Sequence, residues 1–295
     1  MALTLFPFAS AAENTALDRM FYDVDALNAG EQEELRAAGR LEGRILEVGP
    51  SWKPSLQLWD NVEECSALAP HYAAITVAGV GSSALGAAAL ARNAADALKG
   101  KVLAVVSGQG MADIASEAMG GYFLFGGLNA MRHSVNGFER WFKALAVMNP
   151  FVPWASLPSV DPAQTLSPAH YSEDVKALIA LLSGKVECDW LVGHSKGNLV
   201  ISEALYGLRA ADRKRFENVA ANVPIVTFGA RIAMPTEVAR VVDVMGDMDS
   251  FGAFNSRPDI AVDVNVRGAW HHTNTKLPMH VDVRQVLEGV VGSGG

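Results

Sequence analysis

Cys188 to Leu205 reads CDWLVGHSKGNLVISEAL, and its centre is Gly193-His194-Ser195-Lys196-Gly197. A serine hydroxyl is a weak nucleophile. It needs a base to take its proton, a group to orient that base, and donors for the oxyanion that forms on attack. In a G-x-S-x-G pentapeptide the glycines let a strand turn sharply into a helix, so that the serine projects from the turn. The flanks suit that reading: an apolar run, DWLVG, comes before, and a helix-forming run, KGNLVISEAL, comes after. The alternative, a serine in an ordinary tight turn, lacks a reason for both flanks. Ser195 is therefore the candidate nucleophile, and the backbone N–H of Lys196, at the helix start, is a candidate oxyanion donor.

A base and an acid must then be found. In the strand–turn–helix class of hydrolases both follow the serine in the chain. Only His271, His272 and His280 lie after Ser195; His71, His133, His170 and His194 precede it. The acids near a strand end are Asp243, Asp247 and Asp249, in RVVDVMGDMDSF. Asp243 falls inside the strand pattern, which leaves Asp247 and Asp249, although a turn-forming aspartate is the commoner role for such a residue.

The elements that must hold these residues alternate. YAAITVAGV (72–80) and KVLAVVSG (101–108) read as buried strands, and ALGAAALARNAADALKG (84–100) as an alanine-rich helix between them. A helix follows at 167–184, a strand at 186–193, a helix at 196–210, and strands at 223–230, within 235–246 and at 259–268. Strand, helix, strand at this spacing predicts an α/β fold with a mostly parallel sheet and crossover helices. Residues 1–70 read as an N-terminal extension packed on a core domain, 71–295. Residues 111–170, rich in Met, Phe, Trp and Gly, read either as plain core or as an apolar cap over a substrate pocket.

With these pieces placed, the chain resembles the α/β-hydrolase superfamily, and within it the class 3 (fungal-type) lipases and esterases. Four segments carry the likeness in order: ITVAGVGSS (75–83), VGHSKGNLV, IVTFGARIAMP (225–235) and ARVVDVMGDMDSF (239–251). The resemblance implies an α/β-hydrolase fold and the cleavage of carboxylic esters. It places the nucleophile on Ser195, the acid on Asp247 with Asp249 in reserve, and the base on His280 with His272 in reserve. It puts oxyanion donors at Ser82 and Lys196. One departure is Val80, where the family usually has a polar residue before the oxyanion glycine.

Composition narrows the partners. The 295 residues carry a net charge of −8 with no basic stripe, which argues against nucleic acid. No apolar run is long enough to span a bilayer, although contact with a membrane surface stays compatible with the apolar 119–154 region. The segment ALTLFPFASAA lacks a basic start and contains Pro7, so it makes a poor signal peptide. With two cysteines and no disulfide framework, a reducing cytoplasm is the default compartment. The expected substrate is a small apolar ester or a lipid, with no cofactor and no metal. The adjacent His271 and His272 would point to opposite faces of a strand, unsuited to a shared ion.

Two rival readings use other residues. Gly79, Gly81 and Ala84 satisfy G-x-G-x-x-G/A between a strand and a helix, the dinucleotide fingerprint, but the next strand ends in Ser107 rather than an acid. The Gly79–Gly86 turn is also similar to a phosphosugar-binding turn of the sugar-isomerase type. A third class is a hydrolase-like protein that binds a ligand without catalysis.

Overall fold

The computed structural model describes residues 11–38, 41–62, 64–65, 71–79, 82–107 and 172–292. The expected cap at 111–170 lies outside the described residues. Chain order begins with α1 (Ala11–Phe21), a short 3-10 turn (Val24–Ala26), α2 (Ala29–Ala37), β1 (Ile45–Val48) and β2 (Leu56–Trp59). It continues through β3 (His71–Tyr72), β4 (Ala74–Val77), α3 (Ala84–Leu98) and β5 (Val102–Val105). Then come α4 (Glu173–Ser183), β6 (Glu187–Cys188), β7 (Leu191–His194), α5 (Lys196–Ala211) and α6 (Arg213–Asn222). The last elements are β8 (Ile225–Phe228), β9 (Val241–Gly246), α7 (Ser250–Phe254), β10 (Val264–Val266) and α8 (Val283–Gly292).

Eight strands form one sheet in the order β10-β9-β8-β7-β4-β5-β1-β2. The six strands from β10 to β5 are parallel; β1 pairs antiparallel with β5 and with β2. The protein is thus an α/β protein with a mostly parallel central sheet. The central strands ILEV, AITV, VLAV and IVTF are buried throughout, as expected of strands covered on both faces. None alternates apolar with exposed polar residues, and the polar ones they contain, Glu47, Thr76 and Thr227, are buried as well.

Two apolar clusters cover the two faces. One contains α3, Tyr22, Val24, Leu27, Leu35 and Leu41, and the inner side of α8. The other contains the buried sides of α4, α5 and α6. Alanine dominates α3 because the helix is crowded from all sides; nearly every residue from Ala84 to Ala97 is buried. Even its Arg92 is enclosed, paired with Glu31 at 2.6 Å and donating to the Ala26 carbonyl at 3.2 Å.

The boundary expected at residue 70 is not a structural one. Residues 45–59 supply two strands of the main sheet, and α1 packs on α3. Within it ILEV forms the fully buried β1 and LQLW the partly buried β2.

Strand order also locates a crevice. From β4 the chain passes through α3 to β5 on one side, whereas β7 lies on the other side of β4. At such a switch in direction the connections leave apart from each other, and ligands bind outside the carboxyl ends of the strands.

Candidate active site

Ser195 sits at that switch. β7 ends at His194 and α5 begins at Lys196, so the whole turn is the single residue Ser195, at φ 54° and ψ −121°. A side chain rarely adopts a positive φ, and the surroundings must hold it there. The Ser195 N–H donates to the Phe228 carbonyl of β8 at 2.8 Å, and the Ser195 carbonyl accepts from Asn198 N at 3.1 Å. Asn198 in turn donates to the carbonyls of Phe228 and Ala230 at 3.0 and 2.9 Å. The glycines have a steric cause. A Cβ at Gly197 would run into the Val77 carbonyl of β4, and one at Gly193 into the Asn198 side chain. Helix α5 can therefore start directly against the sheet only where both positions lack a side chain.

Three side chains form a hydrogen-bonded row. His271 Nε2 lies 3.0 Å from Ser195 Oγ, and His271 Nδ1 lies 2.8 Å from Asp249 Oδ2. A carboxylate only accepts, so Nδ1 carries the proton and Nε2 is left to accept from the serine hydroxyl. All three residues are buried, at 6%, 3% and 2% exposure for Ser195, His271 and Asp249. The second oxygen of Asp249 accepts from Gly252 N at 2.6 Å, because Asp249 is also the N-cap of α7. Gly229, at φ +70°, leaves room for the imidazole; a Cβ there would lie 2.9 Å from His271 Cε1. Rings surround His271: Phe251 at 4.7 Å, Phe21 at 6.2 Å and Trp270 at 6.4 Å between centroids.

The acid and base favoured by the sequence stand elsewhere. Asp247 is exposed, and its Oδ1 accepts from Gly268 N at 2.7 Å, which ties the turn after β9 to the one after β10. His280 is partly exposed and donates from Nδ1 to the Leu277 carbonyl at 2.8 Å. His272 donates from Nε2 to the Pro278 carbonyl at 3.0 Å; burial holds its imidazole below the ordinary range. The partners beside Ser195 are instead Asp249, the reserve acid, and His271, which the sequence reading left without a role. One local signal points to the aspartate: Asp249-Ser-Phe-Gly252 has the N-cap spacing of a short helix. No local signal separates His271 from His280, since Leu277-Pro278-Met279 before His280 is as apolar as Ala269-Trp270 before His271.

The expected oxyanion residues divide. Lys196 is the first residue of α5, so its backbone lies at the positive end of the helix beside Ser195. Ser82 is buried, but its hydroxyl donates to the Gly79 carbonyl at 2.8 Å and shapes the turn after β4.

A second row runs behind the first. Gly79 N donates to Tyr22 Oη at 2.6 Å, Tyr22 Oη lies 2.9 Å from His194 Nδ1, and His194 Nε2 lies 2.8 Å from the carbonyl of His271. A carbonyl cannot donate, so His194 carries its proton on Nε2 and accepts from the Tyr22 hydroxyl. Complete burial, then the neighbouring His271, push the His194 imidazole down to about 3, which keeps it neutral. Gly79 also passes close to the serine, since a Cβ there would lie 2.8 Å from Ser195 Cβ. That contact gives the first glycine of the apparent dinucleotide fingerprint a different use.

Among the described residues, no group of three or more His, Cys, Asp or Glu could hold a metal ion, and no helix is long and apolar enough to cross a membrane. A cavity of about 270 Å³ opens beside the acid turn, lined by Arg231, Met248, Asp249 and Ser250 among others, and touches neither Ser195 nor His271. No family model, no curated protein and no solved structure matches the chain.

Proposed function

We propose that the protein is a serine hydrolase of the α/β-hydrolase type that cleaves carboxylic esters through an acyl-enzyme on Ser195. The observation that carries this reading is the buried row Ser195 Oγ–His271 Nε2–His271 Nδ1–Asp249 Oδ2, at 3.0 and 2.8 Å, on a serine at positive φ between β7 and α5. The chain order serine, acid, histidine agrees with that class.

In the proposed reaction, Ser195 Oγ attacks the ester carbonyl carbon as its proton passes to His271 Nε2. The negative charge moves to the carbonyl oxygen, and the N-terminal end of α5, including the Lys196 amide, stabilises it. Asp249 keeps the ring in the accepting tautomer and balances the charge of the imidazolium. The tetrahedral adduct collapses, the C–O bond to the alcohol breaks, and His271 returns the proton to the leaving oxygen. Water then attacks the acyl-enzyme with His271 again as base, releasing the acid and restoring the Ser195 hydroxyl. Ser82 acts here as part of the scaffold and not as an oxyanion donor, because its hydroxyl is bonded to Gly79. An apolar acyl or alcohol group suits the half-exposed Phe251 that packs on the base.

The test is hydrolysis of p-nitrophenyl esters from acetate to palmitate by the native chain and by Ser195→Ala, with a fluorophosphonate adduct located by mass spectrometry. Activity confined to the native chain and an adduct on Ser195 are expected. The absence of both turnover and adduct would rule the reading out.

A further inference from the structure

Resting on the reading of Ser195 and His271 given above, we propose that Tyr22 and His194 are positioning residues that fix the base through its main chain, so that helix α1 is part of the active-site framework. A catalytic imidazole is usually oriented at its ring, here by Asp249. This protein also grips the same residue at its carbonyl, through His194 Nε2 at 2.8 Å. His194 adjoins the nucleophile in the chain, so the grip joins the serine turn directly to the loop that carries the base. Its other nitrogen is closed by Tyr22, and the Tyr22 oxygen is closed by Gly79 N at the end of β4. Every donor in the row has one acceptor and every ring has one tautomer, so the row has a single arrangement.

Helix α1 is itself held on both sides of the crevice. Asp18 accepts from Ser83 N at 2.9 Å and from Ser83 Oγ at 2.5 Å. The Phe21 carbonyl accepts from Thr273 N and Oγ1 at 2.7 and 2.9 Å, and the Arg19 carbonyl accepts from Asn274 Nδ2 at 2.5 Å. Thr275 donates to Asp23 at 2.5 Å. The helix therefore spans from the turn after β4 to the strand of chain just beyond His271. Geometry matters at this scale, since a misplacement of about 1 Å at a reacting group can cost about 100-fold in rate.

The experiment compares Tyr22→Phe, His194→Leu and His194→Gln in the full chain. It measures kcat and KM on p-nitrophenyl butyrate and the tautomers of His271 and His194 by long-range ¹⁵N–¹H correlation. Tyr22→Phe should lower kcat about tenfold and His194→Leu about 100-fold, with KM within about twofold. His194→Gln, whose amide can donate from near the Nε2 position, should recover most of the loss. Adding Tyr22→Phe to His194→Leu should cost little more, because the row is already broken. In the spectra, His271 should hold one Nδ1–H tautomer in the native chain and a mixture in Tyr22→Phe and His194→Leu. Unchanged kcat and unchanged His271 tautomers in both variants would overturn the proposal, as would a His194→Gln no better than His194→Leu. Should His194→Leu fail to fold, Tyr22→Phe carries the test, since it removes one oxygen. A native chain that hydrolyses no ester, but whose His271 tautomer still depends on Tyr22 and His194, would remove the esterase reading and leave the positioning intact.

Discussion

Two buried rows converge on His271, one at its ring and one at its carbonyl, and they hold similar side chains to opposite ends. In the first, a carboxylate fixes the proton on Nδ1 and leaves Nε2 facing a serine hydroxyl. In the second, a carbonyl fixes the proton of His194 on Nε2 and leaves Nδ1 facing a tyrosine hydroxyl. The first row contains an anion that can balance a proton arriving on the ring. The second has no such partner in line, and burial drives its imidazole down to about 3. On the proposed reading one row exchanges a proton, and the other keeps its protons in place. The difference lies in what stands at the far nitrogen, not in the histidine itself.

The comparison can be broken most severely at Asp249. An amide there would donate to Nδ1, force the proton onto Nε2, and give His271 the tautomer of His194. Asp249→Asn is expected to reduce ester turnover about 10³- to 10⁴-fold with the fold intact by circular dichroism. Next in size is Gly79→Ala, where the new Cβ presses on Ser195 Cβ from 2.8 Å. It should lower kcat about 10- to 100-fold, since the nucleophile moves by a fraction of an ångström.

A smaller effect sharpens the contrast between a carboxylate with an imidazole and one without. Asp243 in β9 has the Thr227 hydroxyl at 2.5 Å, and its main-chain N donates to Asp263. Burial raises its carboxyl from 3.8 to about 6. The folded state then holds the proton more tightly than the unfolded chain does. The resulting stabilisation is complete below about pH 4 and is lost as the pH rises through about 6. Chemical denaturation should therefore show the stability of the native chain relative to Asp243→Asn falling by on the order of 2 kcal/mol from pH 4 to 7. Smallest of all, Asp247→Asn and His280→Ala should each leave kcat/KM within about twofold of native on p-nitrophenyl butyrate. A large loss in either would restore the pair that the sequence favoured.

That pair shows where sequence reasoning stopped. The β7–Ser195–α5 unit was legible because steric and periodic constraints fall within a dozen residues: an apolar strand, two glycines that admit a close helix, and a helical run. The parallel α/β architecture was legible for the same reason, since the buried central strands are short, mostly apolar runs between glycines and helical stretches. Of the two aspartates the residues left open, the resemblance favours Asp247, whereas Asp249 is the one bonded to His271. Asp247 and Asp249 both follow β9, and only the turn between them decides which one enters the crevice. The proposed base was not singled out because His271, His272 and His280 differ in tertiary surroundings rather than in local pattern. The role of α1 was invisible for a further reason. The contribution of α1 and the two residues after it comes from Asp18, Tyr22 and three acceptors, the Arg19 and Phe21 carbonyls and the Asp23 carboxylate, which meet residues more than two hundred positions away in several cases, so that no window along the chain contains them.

Those contacts also set an order of assembly. Helix α1 leaves the ribosome before the loop it grips, Thr273 to Thr275, which follows some 252 residues later. Until then Tyr22 has no complete row to join and the carbonyls of Arg19 and Phe21 have no partners from the loop. Long-range closures of this kind form late, after local elements are in place. The nascent chain therefore carries an unclasped α1 until residues 273–275 have been made, and only then can the Tyr22–His194 row be braced from both sides.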